Sequence, residues 1–294
     1  IHMKKNAFFC VVLAGVFFGT SCIFVNLLSP YGFSPLQMIA MRGTVAAVVT
    51  AIAVFFYNKK LYQTDLKGIL LAVSCGIGIY FTSSLYYISM DKTSVSTAVV
   101  LMYTAPIIVM FYSVIFLKEK FTKIKAISVI SVILGCCLVS GVIGGFKFNT
   151  AGLIIGLLSG VAYAFYNIMT KIAMKYNYNP LTITLYCFIT MCILALICAD
   201  VPNMAKLTLQ NPPAIILLII GIGIFTSVLP YFLQTLGLKE LPAGVASSLG
   251  IIEPMSATVF SVVFFNENLS VLNVCGIILI LFAVFILSKT KEND

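Results

Sequence analysis

Residues 101–120 read LMYTAPIIVMFYSVIFLKEK, and residues 249–268 read LGIIEPMSATVFSVVFFNEN. Set at an offset of 148, they place Pro106 on Pro254, Ser113 on Ser261, Val114 on Val262, Phe116 on Phe264 and Glu119 on Glu267. The match runs without a gap over 90–140 and 238–288. Upstream the offset is 145, with Gly15 on Gly160 and Pro35 on Pro180. The same membrane pattern therefore occurs twice. Each copy holds five apolar spans, and five is odd, so the second copy enters the bilayer from the opposite side. Repeats inverted in this way build two alternately open faces around one central site.

Of the 294 residues, 61% are apolar and 9% are charged. A water-facing surface needs far more polar side chains than that, so lipid is the solvent. In lipid every backbone group must bond internally, which selects helices or a closed barrel. A barrel strand alternates over about ten residues. This chain instead shows unbroken apolar runs of about twenty, enough to cross ~30 Å of hydrocarbon as helices.

The predicted fold class is therefore all-α, a polytopic membrane protein of ten transmembrane helices in two inverted five-helix repeats. The spans lie near 7–28, 34–57, 68–89, 94–117, 124–142, 151–170, 181–199, 214–236, 243–265 and 270–288. Residues 1–3 read as a cloning scar and start, which sets aside the single histidine, His2. Residues 4–142 form the first repeat, 143–149 the linker, 150–288 the second repeat and 289–294 a cytoplasmic tail.

Fourteen lysines fall on one side of this ten-span layout: Lys4, Lys5, Lys59, Lys60, Lys67, Lys118, Lys120, Lys123, Lys125, Lys171, Lys175, Lys239, Lys289 and Lys291. Three fall on the other, Lys92, Lys147 and Lys206. Positive residues stay inside, so both termini are expected in the cytoplasm of a prokaryotic cell, under its inner membrane. The net charge of +9 then reflects topology. The basic residues form no continuous face for nucleic acid.

Glycines repeat at four-residue spacing as Gly152, Gly156 and Gly160 in span 6, and as Gly15 and Gly19 in span 1. Such spacing lets two backbones touch, and spans 1 and 6 are expected to form a close-packed central element. The nine cysteines lie in apolar spans or at their ends and make no CxxC metal pair. They read as small hydrophobes.

Two stretches carry a resemblance: Pro35-Leu-Gln-Met-Ile-Ala-Met-Arg42-Gly-Thr in span 2, and Ser248-Leu-Gly-Ile-Ile-Glu253-Pro254-Met-Ser-Ala in span 9, the latter running on to Phe264-Phe-Asn-Glu267. Leu101 to Pro106 and Leu117 to Lys120 match the first-repeat version. The chain resembles EamA-type members of the drug/metabolite transporter superfamily over essentially its whole length. The resemblance implies a ten-helix carrier with a central cavity lined mainly by helices 1, 3, 4, 6, 8 and 9. It also implies small metabolites as cargo, among them amino acids, amines, sugars and nucleobases. Relatives often place a tryptophan early in helix 1. This chain has none and carries Phe17-Phe18-Gly19-Thr20 there, so an aromatic box for a cation must use Tyr and Phe.

Two charges sit well inside predicted spans, Arg42 and Glu253. Their repeat equivalents are Cys187 and Ala105, so the scaffold was duplicated and these charges were not. A residue serving one shared site need occur only once. A carboxylate at mid-membrane costs several kcal/mol unless it is paired, hydrated or protonated. A glutamate passing between a dry and a wet setting takes up a proton in one and releases it in the other. Glu253 is thus read as the coupling or substrate-binding acid, against a locked structural hydrogen bond. Pro254 frees a carbonyl one turn earlier and loosens the helix beside it. Arg42 lies roughly 12 Å inside its span at 1.5 Å per residue. It is read either as a carboxylate ligand or as a partner of carbonyls on a neighbouring helix.

Further candidates are uncharged: Tyr80 and Tyr86 in span 3, Tyr103 in span 4, Tyr163 and Asn167 in span 6, Tyr231 and Gln234 in span 8, and Ser247 and Ser248 in span 9. Hydroxyls and amides at that depth need partners, so some should line a wet cavity and others should join helices. Glu119 and Glu267 are read as positioning tight turns.

Together these features predict a secondary active transporter for an amino-acid-like or amine compound, working by alternating access, with proton-coupled export as the first reading. The rival is an uncoupled exchanger or facilitator. A membrane-embedded enzyme on lipid-linked substrates would cluster acids or histidines at one interface, and none is seen. No metal or cofactor is expected. No Walker motif offers ATP as the energy source. Expected partners are the small-molecule substrate, protons and membrane lipid, and a monomer suffices to enclose the cavity.

Overall fold

A computed structural model describes residues 2–93, 95–118, 122–139, 149–266 and 270–288. The expected turn residues Glu119 and Glu267, Lys120, linker residues 143–148 and the 289–294 tail lie outside the described residues.

The described chain is helical and contains no strand. Span 1 is α1 (His2–Gly19) and α2 (Ser21–Leu28), span 2 is α3 (Pro35–Tyr57), and span 3 is α4 (Leu66–Lys92). Span 4 is α5 (Val95–Met102) and α6 (Ala105–Ile115), and span 5 is α7 (Lys123–Val139). In the second half, span 6 is α8 (Thr150–Lys175) and span 7 is α9 (Pro180–Cys198). A short helix, α10 (Val201–Thr208), occupies what the sequence suggests is loop. Asp200 caps it by accepting from the Asn203 N–H. Span 8 is α11 (Pro212–Gly223) and α12 (Leu229–Glu240), joined by a π-helical turn at Ile224–Val228. Span 9 is α13 (Ala243–Leu249) and α14 (Ile252–Phe265), and span 10 is α15 (Val271–Ser288).

Among the described residues eight helical stretches are long and apolar enough to cross a membrane. The other two rods are shorter: α7 has 17 residues, and the apolar stretch of α15 runs over Val271–Ile286. These two pack along each other. A Cβ placed on Gly276 would lie 2.8 Å from the Gly135 carbonyl oxygen, so the backbones touch there.

The duplication is written in the backbone. Four described residues have left-handed φ values: Gly32 at 85°, Lys118 at 57°, Asn177 at 58° and Asn266 at 53°. They fall into two pairs, Gly32 with Asn177 and Lys118 with Asn266, at the offsets of 145 and 148 found in the sequence. Left-handed backbone at a helix end costs least for glycine and asparagine, and it turns the chain sharply. Each copy thus leaves its first and fourth spans through the same bend. Ser34 and Asn179 then cap the next helix in each copy, each followed by proline at the first helical position.

Packing follows the same two-fold relation. Span 1 packs on span 8 as span 6 packs on span 3, and span 1 on span 9 as span 6 on span 4. Spans 2 and 7, which are equivalent, lie side by side. The expectation that spans 1 and 6 pack on each other is corrected: they are not among the closely packed pairs. Their glycine rows serve the fourth span of the opposite repeat instead. A Cβ on Gly15 would lie 2.8 Å from Ile252 Cβ, and one on Gly160 would lie 2.8 Å from the Leu101 carbonyl oxygen.

Candidate functional site

Spans 4 and 9 are each broken at mid-length, just before Pro106 and Pro254. Proline has no N–H for the carbonyl four residues back. In span 9 that carbonyl belongs to Gly250. It accepts instead from the Glu253 N–H at 3.0 Å and from the Tyr103 hydroxyl at 3.2 Å. Tyr103 sits at the matching break of span 4. Its hydroxyl also lies 2.8 Å from Glu253 Oε2, donating its one proton between two acceptors. The two helix breaks, one from each repeat, thus meet at Glu253.

A cavity of about 660 Å³ opens beside this junction. That is ample for a small metabolite. Glu253, Pro254 and Ala257 form one wall. Arg42, Thr82, Ser83, Tyr86 and Tyr87 line the cavity as well. Arg42 donates through Nη2 to the Ser83 hydroxyl, and its buried Nε has no protein partner. Among the described residues, Arg42 and Glu253 share the cavity without an ion pair between them. Each charge therefore keeps bonding capacity for a third party.

Aromatic rings pack together beside the cavity. Phe18 meets Tyr231 edge-on at 4.8 Å, Tyr231 meets Tyr166 edge-on at 5.4 Å, and Tyr166 stacks on Tyr163 at 6.4 Å. Tyr163 in turn meets Tyr103 edge-on at 6.4 Å. Edge-to-face pairs of this kind hold ring orientation as well as burying area. Phe18 and these four tyrosines form one continuous aromatic cluster.

Of the residues singled out from sequence, Arg42, Tyr86, Tyr103, Tyr163, Tyr231 and Glu253 line the cavity. The other five do not. Tyr80 is buried in the core away from it. Ser247 and Ser248 are fully buried, and Ser248 Oγ donates to the Gly244 carbonyl of its own helix at 2.8 Å. Asn167 Nδ2 donates to the Tyr163 carbonyl at 2.9 Å, and Gln234 Nε2 donates to Asn167 Oδ1 at 3.1 Å. Asn167 and Gln234 thereby join α8 to α12, as amides between membrane helices do. The cavity also exposes polar groups not picked out from sequence, including Thr82, Ser83, Tyr87, Asn26 and Asn273. The signal for the first three was the helical neighbourhood of Tyr86: Thr82 lies one turn before it, and Ser83 one turn before Tyr87.

Most lining residues come from the C-terminal ends of spans 1 and 3, the start of span 2, the N-terminal half of span 4, the second half of span 9 and Asn273 at the start of span 10. These lie toward the face opposite the N-terminus, here the far face, while Tyr163 and Tyr231 line the cavity from the middle parts of spans 6 and 8. On the near face the helices close together. Gly237 packs against Val11 and Gly244 against Met110. Lys171 Nζ donates to the Leu238 and Leu241 carbonyls at 2.8 and 2.5 Å. The cavity is open to one face and shut to the other.

Outside the spans, Asp65 caps α4 by accepting from the Gly68 N–H at 3.0 Å. The Tyr178 hydroxyl donates to it at 2.7 Å, linking the first repeat to the second. That bond first, and the Gly68 bond second, hold the Asp65 carboxyl below its ordinary range. Among the described residues no group of three or more His, Cys, Asp or Glu is placed to hold a metal.

The comparisons with known proteins agree with this architecture. A Clostridium kluyveri protein named as an uncharacterized transporter is 26% identical over 310 aligned residues, covering 99% of this chain and 96% of its own. The Bacillus subtilis protein named uncharacterized transporter YwfM is 25% identical, covering 99% of this chain and 97% of its own. A solved crystal structure shares the fold with a TM-score of 0.78 at 14% identity over 96% of both chains. The EamA-like transporter family matches twice, at residues 5–141 and again at 150–289. This chain is a multi-pass membrane protein that belongs to the EamA-like transporter family.

Proposed function

We propose that the protein is a secondary carrier for a small zwitterionic or cationic metabolite, of amino-acid or amine type, and that proton coupling drives its export. The observation that carries this reading is that an unduplicated acid and an unduplicated base line the same cavity. Glu253 would take the amine, within a wall of tyrosines that favours a cation by its ring faces. Arg42 would take a carboxylate through the N–H groups that Ser83 leaves unused. The span breaks at Tyr103 and Gly250 supply hinges, since a helix that has already lost its ladder bond bends with little further loss.

The five-helix repeats, 4–142 and 150–288, would rock about this cavity to open it to either face in turn. The lysine bias sets the near face in the cytoplasm of a prokaryote, so the state described here opens to the outside. Glu253 would exchange Tyr103 and substrate for a proton during the cycle. No second subunit is needed to complete the cavity.

The test is flux in proteoliposomes with an imposed pH gradient, after a binding screen over amino acids, polyamines, quaternary amines and nucleobases. A saturable flux that follows the gradient is expected, and the weaker flux that remains in Glu253→Gln at raised substrate concentration should no longer respond to pH. Equal pH response in wild type and Glu253→Gln would remove the coupling role. Exchange that ignores the gradient in wild type would select the uncoupled carrier instead.

A further inference from the structure

Lys171 has a place in the fold that the transport site does not use. It lies near the end of α8, and its side chain is buried with 8% of its surface exposed. An ammonium so placed is costly unless it is well bonded. Its Nζ donates to the carbonyl oxygens of Leu238 and Leu241, at the C-terminal end of α12 and the turn into α13. Those carbonyls have no partner within the helix, and the helix dipole makes that end negative. The contact draws span 6 onto the connection between spans 8 and 9. It lies on the near face, where the cavity is shut.

The duplication supplies the counterpart. At the offset of 145, Lys171 corresponds to Asn26. At the offset of 148, Leu238 and Leu241 correspond to Met90 and Thr93, in the connection between spans 3 and 4. Asn26 and Met90 both line the cavity mouth on the far face, and Asn26 is exposed there. Its Nδ2 bonds only one turn back along its own helix, to Cys22 O at 2.9 Å. One positional contact is thus made on the shut face and not made on the open face.

We infer that Lys171 is the near-face latch of the carrier, and that Asn26 is its far-face counterpart. When the cavity opens to the near face, Lys171 releases the carbonyls at the end of span 8. Asn26 then closes on the carbonyls at the end of span 3. Because the two residues differ, the latches differ in strength: the cation grips helix-end carbonyls more tightly than the amide does. This biases the resting protein toward the far-open state. The inference rests on the two-state carrier reading, but it can be tested without any substrate.

The probe is Cys22, which lines the far mouth. The rate at which a bulky maleimide modifies it in purified full-length protein, read site by site by mass spectrometry, reports how often that mouth is open. Lys171→Met should slow the reaction at least threefold by weakening the near latch. Asn26→Lys should also slow it at least threefold, by giving the far mouth the stronger latch. A lysine one turn from a thiol speeds alkylation by itself, so local charge cannot mimic the second result. Asn26 is exposed, so this variant probes the latch even if Lys171→Met fails to fold. Wild-type rates in a folded Lys171→Met protein, or in Asn26→Lys, would overturn the proposal. Because no transport is measured, such a failure would leave the substrate reading standing.

Discussion

At the scale of single residues, the site rests on how its two charges are bonded. Glu253 has Tyr103, and Arg42 has Ser83, yet the pair do not neutralise each other. Removing Arg42 should therefore separate ligands by chemistry. Arg42→Ala should weaken binding of a zwitterion by roughly 10- to 100-fold, the worth of a charged hydrogen bond of about 1.5–3 kcal/mol. The same variant should leave the corresponding amine without a carboxylate within about threefold. Calorimetric titration of both ligands checks this, and equal losses would assign Arg42 to structure. Glu253 and Arg42 were legible in the sequence because a charge inside an apolar run is rare and expensive. Ser247, Ser248, Asn167 and Gln234 were not separable from lining residues, because interior membrane helices are surrounded by protein on most sides. Gln234 bonds Asn167 across two helices and Ser248 bonds back along its own, and neither choice leaves a mark in the sequence.

At the scale of elements, two devices position the site. One is the glycine in each repeat that meets the broken fourth span of the other. A Cβ on Gly160 would come within 2.6 Å of Thr104 Oγ1 as well as near the Leu101 carbonyl. Gly160→Val should cost about 1–3 kcal/mol by overpacking and lower the thermal midpoint in detergent. An unchanged midpoint would mean that span 6 does not bear on span 4 at this point. The other device is the Asp65 bridge between repeats, on the near face. Its carboxyl is held below the ordinary aspartate value, so its contribution is present above that value and fades as the pH falls through the lower folded one. Asp65→Ala should therefore lower the thermal midpoint at neutral pH, with the gap to wild type closing in acid. A constant gap would show that the charge on Asp65 is not what matters. A loosening of span 9 beside Pro254 was expected from the sequence, whereas the full break there and its match in span 4 were not. Nor was the destination of the freed Gly250 carbonyl, because it depends on Tyr103 arriving from 147 residues away.

At the scale of the whole molecule, the duplication leaves two independent records, of which the sequence shows the first and the structure the second. One is the residue match at fixed offset. The other is the pairing of Gly32 with Asn177 and Lys118 with Asn266 in left-handed backbone. The predicted contact of spans 1 and 6 failed for an instructive reason. A glycine row says that a backbone approaches closely, but not which one, and the inverted symmetry sends each row to the opposite repeat. The asymmetry of the cavity was also beyond the sequence, since the proposed carrier cycle needs one chain to open to either face in turn. The central claim is that these are two halves of one motion. Spin-label distances across the two mouths test it most directly, between positions 31 and 91 on the far face and their repeat equivalents 176 and 239 on the near face. Under turnover with a transported substrate, the first distance should shorten in the same fraction of molecules in which the second lengthens. Two distances that stay fixed during transport, or that change in the same sense, would contradict the account.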